Sequence, residues 1–455
     1  MNRKLSRILT VLIVLFCVAL LAGAGILLVQ VLPKKAPGEV TSLETSSVFE
    51  SETAAVAPDR EEAYEGSLPP AAEVQPAPDQ TPDEPSGPDT PEQTTEETPS
   101  DALISDASDK LARQTLASMT EDEKLWQLFY VTPELLTGVE TATRAGDSTK
   151  EALEKMPVGG IVYFAKNFED RAQTQDMLHN TKSYTKIPLF LGTDEEGGTV
   201  SRVGSNPAMG GIEIPSMQSL GEQADPAGVY QAGQNIAENL RAVGLNMDFA
   251  PVADVASSSS AVIGSRSFGS DAQLCASMVS VLTGSLQTKG VVPCLKHFPG
   301  YGSAITDDHY GTSILTKTLD DLEACDFLPF VSGIEAGAPF VMVSHLSVPE
   351  VVGDETPSDL SSKIVSEILR NKLGFTGVII TDSHQMASIT DHYTSGEAAV
   401  KALQAGVDMI LMPQDLQAAF DGVKAALNDG TLTQERIDES VLRILQVKAE
   451  YNILQ

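Results

Sequence analysis

From about residue 106 onward the sequence alternates between short apolar, β-branched runs and longer amphipathic stretches, and the short runs number eight. They are Leu128–Val131, Gly159–Phe164, Pro188–Asp194, Met247–Asp254, Val291–Phe298, Pro339–Leu346, Gly377–Asp382 and Val407–Met412. Most are nearly continuously apolar, as strands are when helices cover both faces of a parallel sheet. Between them lie helix-like segments: Asp225 stands where it caps Pro226–Val243, Ser361–Lys372 follows, and Thr433–Tyr451 closes the chain. Eight parallel strands with connecting helices predict an α/β fold, a single (β/α)8 TIM-type barrel occupying residues 106–455. An open doubly wound sheet uses the same units, but no glycine-rich dinucleotide turn follows the first run.

Polar residues gather where these runs end: Asp194, Asp254, Lys296 with His297, His345 and Asp382. In a barrel the strand ends and the loops after them converge on the C-terminal face, so these side chains predict one site. Any single Asp in such a position also reads as a helix cap. Five strand ends doing so together do not.

The densest stretch runs from Lys296 through His297, Phe298, Pro299, Gly300, Tyr301 and Gly302 to Thr306, Asp307, Asp308 and His309. It is too polar for core, and its glycines and proline force a loop. Asp307 and His309 are separated by one residue, a spacing at which, in extended or turn geometry, the carboxylate can reach an imidazole nitrogen and orient the ring. A turn-forming Asp beside a solvated His is the plainer reading of that pair alone. Asp382 adds a second reactive group: cleavage of a glycosidic bond needs a proton donor at the leaving oxygen and a carboxylate across the anomeric carbon.

These blocks resemble the β-N-acetylglucosaminidase branch of glycoside hydrolase family 3. The resemblance runs from Met119–Lys124 to about Val447, through Gly159-Gly160-Ile161, Asp194-Glu195-Glu196-Gly197-Gly198, Asn246–Asp254 and Ile263–Gly269, then Lys296–Gly300, Asp307-Asp308-His309 and Thr381-Asp382-Ser383. It implies a retaining mechanism with Asp382 as nucleophile and His309 with Asp307 as a mobile acid/base dyad. It also implies that Asp194, Arg266, Lys296 and His297 grip the sugar hydroxyls, with Arg202 joining them. Two positions depart from the family pattern: Tyr301 where His is commonest, and Ser383-His384 where a second Asp often follows the nucleophile. The dyad inside the barrel stands in for the acid/base Glu that many β-glucosidases of the family take from a second domain.

Ahead of the barrel, Arg3, Lys4 and Arg7 precede an uncharged run from Ile8 to Leu32 that Lys34 and Lys35 close. That run exceeds a cleavable signal core and suffices to span a bilayer, so residues 1–35 are expected to be a transmembrane signal anchor placing the rest on the extracellular face of the membrane, with a cleaved signal peptide and a secreted protein as the alternative. Residues 36–105 form a Pro/Glu/Thr/Ser-rich linker; between Ala36 and Ser100 stand 16 acidic residues against Arg60 alone. Its apolar surface is too small to offset the entropy of ordering, so disorder is expected. Acidity of this degree excludes nucleic acid as a partner. The expected partner is a carbohydrate, a β-GlcNAc-terminated glycan or peptidoglycan fragment, met by a monomer without cofactor or metal. Cys275, Cys294 and Cys325 read as buried thiols, one disulfide among them remaining open. Three rival readings stand: another exo-glycosidase such as a β-glucosidase, a non-catalytic wall-binding barrel, and a metal-dependent hydrolase built on His297, His309, His345 and His384. No ligand spacing of HExxH type supports the last.

Overall fold

The structure is a computed structural model that describes residues 104–455 except 258, 261 and 305–310. The expected anchor, nearly all of the acidic linker, and Asp307 with His309 therefore lie outside the described residues. Among the described residues no helix is long and apolar enough to cross a membrane.

All eight expected strands are present: β1 (Phe129–Val131), β2 (Gly160–Val162), β3 (Phe190–Thr193), β4 (Met247–Asp248), β5 (Val292–Phe298), β6 (Phe340–Val343), β7 (Val378–Thr381) and β8 (Ile410–Leu411). Every neighbouring pair is parallel, in the order β7-β6-β5-β4-β3-β2-β1-β8. The two ends meet at Ile380 and Met409, where Thr381 N donates to Met409 O at 3.1 Å, so the sheet rolls up into a barrel. The strands are shorter than expected, β4 most of all. Pro251 has no N–H to give to a ladder, and beyond Asp248 the chain pairs with β5 only irregularly, Ala253 N reaching Lys296 O at 2.6 Å.

Every strand residue is buried, as the continuous apolar runs required. The interior is filled by large rings whose space is made by glycines. Tyr130 packs edge-on to Phe249 at 5.2 Å. A Cβ at Gly160 would come within 2.4 Å of the Tyr130 ring, and one at Gly192 within 2.5 Å of its hydroxyl. The outer helices begin and end on residues suited to it. Asp225 accepts Ala227 N at 3.0 Å and Gly244, at φ 102°, ends Pro226–Val243. Thr433 caps Gln434–Glu450. Lys363–Lys372, expected as an ordinary helix, is wound in the wider π form.

The first described helix, Asp106–Ser118, is tied to the last by Ser105 N to Glu450 Oε2 at 3.0 Å and Gln446 Nε2 to Asp109 Oδ1 at 2.6 Å. Cys275, Cys294 and Cys325 are free thiols, the first two buried and the third partly exposed.

Candidate active site

Asp194, Arg202, Arg266, Lys296, His297 and Asp382, drawn from four separate regions of the sequence, line one cleft of about 330 Å³. Asp194 and Asp382 directly follow β3 and β7, and Lys296 and His297 lie within β5, so the cleft opens at the C-terminal ends of the strands. Phe249, Met342, Met386 and Met412 supply its apolar surface.

One wall is an ion network. Lys296, 2 % exposed, puts Nζ 2.6 Å from Asp194 Oδ1 and 2.6 Å from Glu196 Oε1. Arg266 grips the same Glu196 through both Nε and Nη2 at 2.7 Å. Burial alone would raise the Glu196 carboxyl, but Lys296 and Arg266 more than offset it and hold it well below the usual carboxylate range. The reciprocal effect operates on Lys296: burial opposes its charge, and Asp194 and Glu196 restore it, so the ammonium stays protonated. Two permanent cations and an Asp carboxylate thus face the cleft in fixed positions, the donors and acceptor that vicinal hydroxyls require.

The loop after β3 is organised by Glu195, which is fully buried. Its carboxylate accepts from Ser201 Oγ, Arg202 N, Val203 N and Gly204 N at 2.6 to 2.8 Å. This brings Arg202 to the cleft, where its Nε is buried with no hydrogen-bond partner among the described residues.

Beside this network, Asp254 is a second hub. Its Oδ2 is 2.7 Å from His297 Nδ1 and its Oδ1 accepts Tyr301 N at 2.6 Å. A carboxylate only accepts, so His297 carries its proton on Nδ1 and offers Nε2 as an acceptor, 3.4 Å from Arg266 Nη2. Tyr301, the departure from the family's His, pairs its hydroxyl with Ser313 Oγ at 3.1 Å. Those two residues flank 305–310 and join the chain on either side of the segment holding Asp307 and His309.

Asp382 Oδ1 accepts the N–H of Ser383 at 2.7 Å. His384, the other departure, points away from the cleft to Asp359, with Nε2 2.9 Å from Oδ2. His345, Asp359 and His384 are the one group of metal-ligating composition among the described residues, their ligand atoms within 4.8 Å of one another. His384 Nε2 is hydrogen-bonded to Asp359 Oδ2 at 2.9 Å, and His345 Nδ1 lies 3.1 Å from Oδ1.

Three residues that hold the cleft together went unassigned in the sequence: Glu195, Glu196 and Asp254. The first two stand in an Asp-Glu-Glu run of which only Asp194 was singled out. Asp254 was noted at its strand end without a role. The available signal was three consecutive acids at the end of a buried strand, which cannot all be caps.

A barrel whose strand ends bring a carboxylate and a fixed set of charged groups to one cleft has the construction of a carbohydrate-processing enzyme. Residues 120–447 match the glycosyl hydrolase family 3 N terminal domain, and the chain belongs to that family. It is 35% identical over 268 residues to a β-hexosaminidase of Nitrosomonas eutropha, covering 58% of this chain and 75% of that protein. It is 30% identical over 351 residues to a β-N-acetylglucosaminidase/β-glucosidase of Cellulomonas fimi, covering 75% of this chain and 59% of that one. Among solved structures, a family 3 β-N-acetylglucosaminidase from Paenibacillus sp. superposes with a TM-score of 0.69 at 32% identity, over 74% of this chain and 63% of that one.

Proposed function

We propose that the protein is a retaining exo-β-N-acetylglucosaminidase that releases terminal β-linked GlcNAc. The observation that carries this reading is that Asp382 shares one cleft of about 330 Å³ with Asp194, Lys296, Arg266 and His297. A sugar ring held by those hydroxyl-binding groups leaves its anomeric carbon to Asp382. The Asp382 carboxylate attacks that carbon while His309, oriented by Asp307, gives a proton to the leaving oxygen; water then cleaves the glycosyl-enzyme ester, with the imidazole taking the water's proton. The name of the Paenibacillus relative, a β-N-acetylglucosaminidase, supports GlcNAc as the sugar, and that of the Nitrosomonas relative, a β-hexosaminidase, supports an amino sugar. Rates on aryl β-N-acetylglucosaminide and aryl β-glucoside test the assignment. The first substrate should turn over faster, and Asp382→Asn should lose at least about a thousandfold while remaining folded. Faster glucoside turnover favours the β-glucosidase reading that the Cellulomonas relative's double name raises, and undiminished activity of Asp382→Asn contradicts the mechanism.

The finer reading places the enzyme, as a monomer, on the outer face of the cell membrane, tethered through residues 1–35 and working on GlcNAc–MurNAc fragments of peptidoglycan. Its support is the basic–apolar–basic pattern of those residues and the acidic spacer after them. Product analysis after incubation with defined muropeptides, with and without phosphate, tests both the substrate and the acceptor.

A further inference from the structure

We propose that Asp359, His345 and His384 form a buried clamp on the peptide that follows Asp382, and that His345 and Asp359 are positioning residues for the nucleophile. The proposal rests on the reading of Asp382 as nucleophile.

The three come from separate elements. His345 follows β6, Asp359 lies in the short turn Ser358–Leu360, and His384 stands two residues after Asp382. Their exposures are 0 %, 0 % and 2 %, and none of them lines the cleft, so any effect on the reaction passes through other groups. His345 Nε2 is 2.9 Å from the carbonyl oxygen of Ser383, which only accepts, so that nitrogen carries a proton. His345 Nδ1 is 3.1 Å from Asp359 Oδ1, while Asp359 Oδ2 takes His384 Nε2 at 2.9 Å. Burial pushes the Asp359 carboxyl up, but the two histidines outweigh it and bring it down to about 2, leaving a carboxylate. His345 Nδ1 lies within ion-pair distance of that carboxylate, so the two side chains are held against each other in the same buried site. Burial lowers His384, which stays neutral with its proton on Nε2.

Both arms of the clamp end on one peptide. The Ser383 carbonyl that accepts from His345 belongs to the same amide whose N–H, on His384, donates to Leu411 O at 2.9 Å. The His384 side chain then returns to Asp359, the carboxylate that His345 Nδ1 also approaches. One residue upstream, Ser383 N–H donates to Asp382 Oδ1 at 2.7 Å. Ser383 therefore joins the clamp to the nucleophile: with its carbonyl held, its N–H is aimed, and with it the carboxylate. A polar network serving stability alone would need partners for its buried groups but no convergence on the amide beside Asp382.

The test is kinetics of the full chain on aryl β-N-acetylglucosaminide for His345→Ala, His345→Gln and Asp359→Asn, normalised to folded protein by near-UV circular dichroism. His345→Ala and Asp359→Asn should lower kcat about a hundredfold, the order of loss from a slightly misplaced reacting group. KM and the inhibition constant of free GlcNAc should stay within about threefold, because the sugar-holding groups are untouched. His345→Gln, whose amide can still donate to Ser383, should recover at least about tenfold of the loss. A kcat within about threefold of the parent in folded His345→Ala overturns the proposal, as does a KM rising in step with the fall in kcat, or a Gln variant no better than Ala. If His345→Ala does not fold, the near-isosteric Asp359→Asn carries the same criteria. An inactive parent, or an active Asp382→Asn, counts against the functional reading instead; an active parent with inactive Asp382→Asn and unaffected clamp variants counts against the clamp alone.

Discussion

Glu196 and Arg202 face the same cleft with opposite energetic positions. Glu196 is a buried carboxylate shared by Lys296 and Arg266, and removing its charge leaves Arg266 without a carboxylate partner and Lys296 with Asp194 alone. Glu196→Gln should cost about 3–5 kcal/mol of stability and raise KM as well, both read from urea unfolding and steady-state kinetics. Arg202 leaves no described partner behind when truncated. Arg202→Met should keep the unfolding midpoint close to the parent while weakening inhibition by free GlcNAc about tenfold or more, the loss of a charge-assisted hydrogen bond. The chemical type of these residues was legible from sequence, since charged side chains at the ends of apolar runs have few other uses. Their partners were not. Glu196 lies 70 residues from Arg266 and Asp359 25 residues from His384, and only the curl of the barrel brings such pairs together.

At the level of elements, continuous apolar runs marked all eight strands because burial on both faces leaves no alternation to confuse with a helix. Strand ends were less legible where a run stays apolar after pairing fails, as beyond Asp248, and the π winding of Lys363–Lys372 has no signature in side-chain periodicity. Inside the barrel, Tyr130 and Gly192 make a sharper statement. The Tyr130 hydroxyl is buried with no partner among the described residues and lies 2.5 Å from a Cβ at Gly192, whereas the next atom, on Phe249, is 3.3 Å away. Gly192→Ala should destabilise by about 1–3 kcal/mol through overpacking. Tyr130→Phe alone should be nearly neutral, since it deletes an unsatisfied polar atom. The double variant should recover most of the loss; urea unfolding of the four proteins that finds additive costs contradicts this account of the packing.

For the molecule as a whole, the last helix braces the barrel: Gln434–Glu450 carries Lys448 into the interior, where Nζ donates to Gln127 Oε1 at 2.6 Å and sits 5.2 Å from the Phe190 ring centre. Burial lowers its pKa from 10.5 to about 7. Between those values the unfolded chain holds a proton that the folded chain releases, so this group makes stability rise with pH across that window and contributes no slope below it. Urea unfolding at pH 6 to 9 should show the parent gaining on Lys448→Met by up to about 1.4 kcal/mol per pH unit above 7. A constant difference between the two proteins would mean that Lys448 is not buried as a titrating amine.

The proposed reaction turns on one bond, between Asp382 and the anomeric carbon of a terminal β-GlcNAc. Incubation with a slowly turned-over fluorinated GlcNAc donor, followed by intact-protein and peptide mass spectrometry, observes that bond directly. The expected result is a single glycosyl adduct on the peptide containing Asp382, absent from Asp382→Asn, with β-anomer as the first product of normal turnover. An adduct on another residue, or α-anomer as the first product, would contradict it.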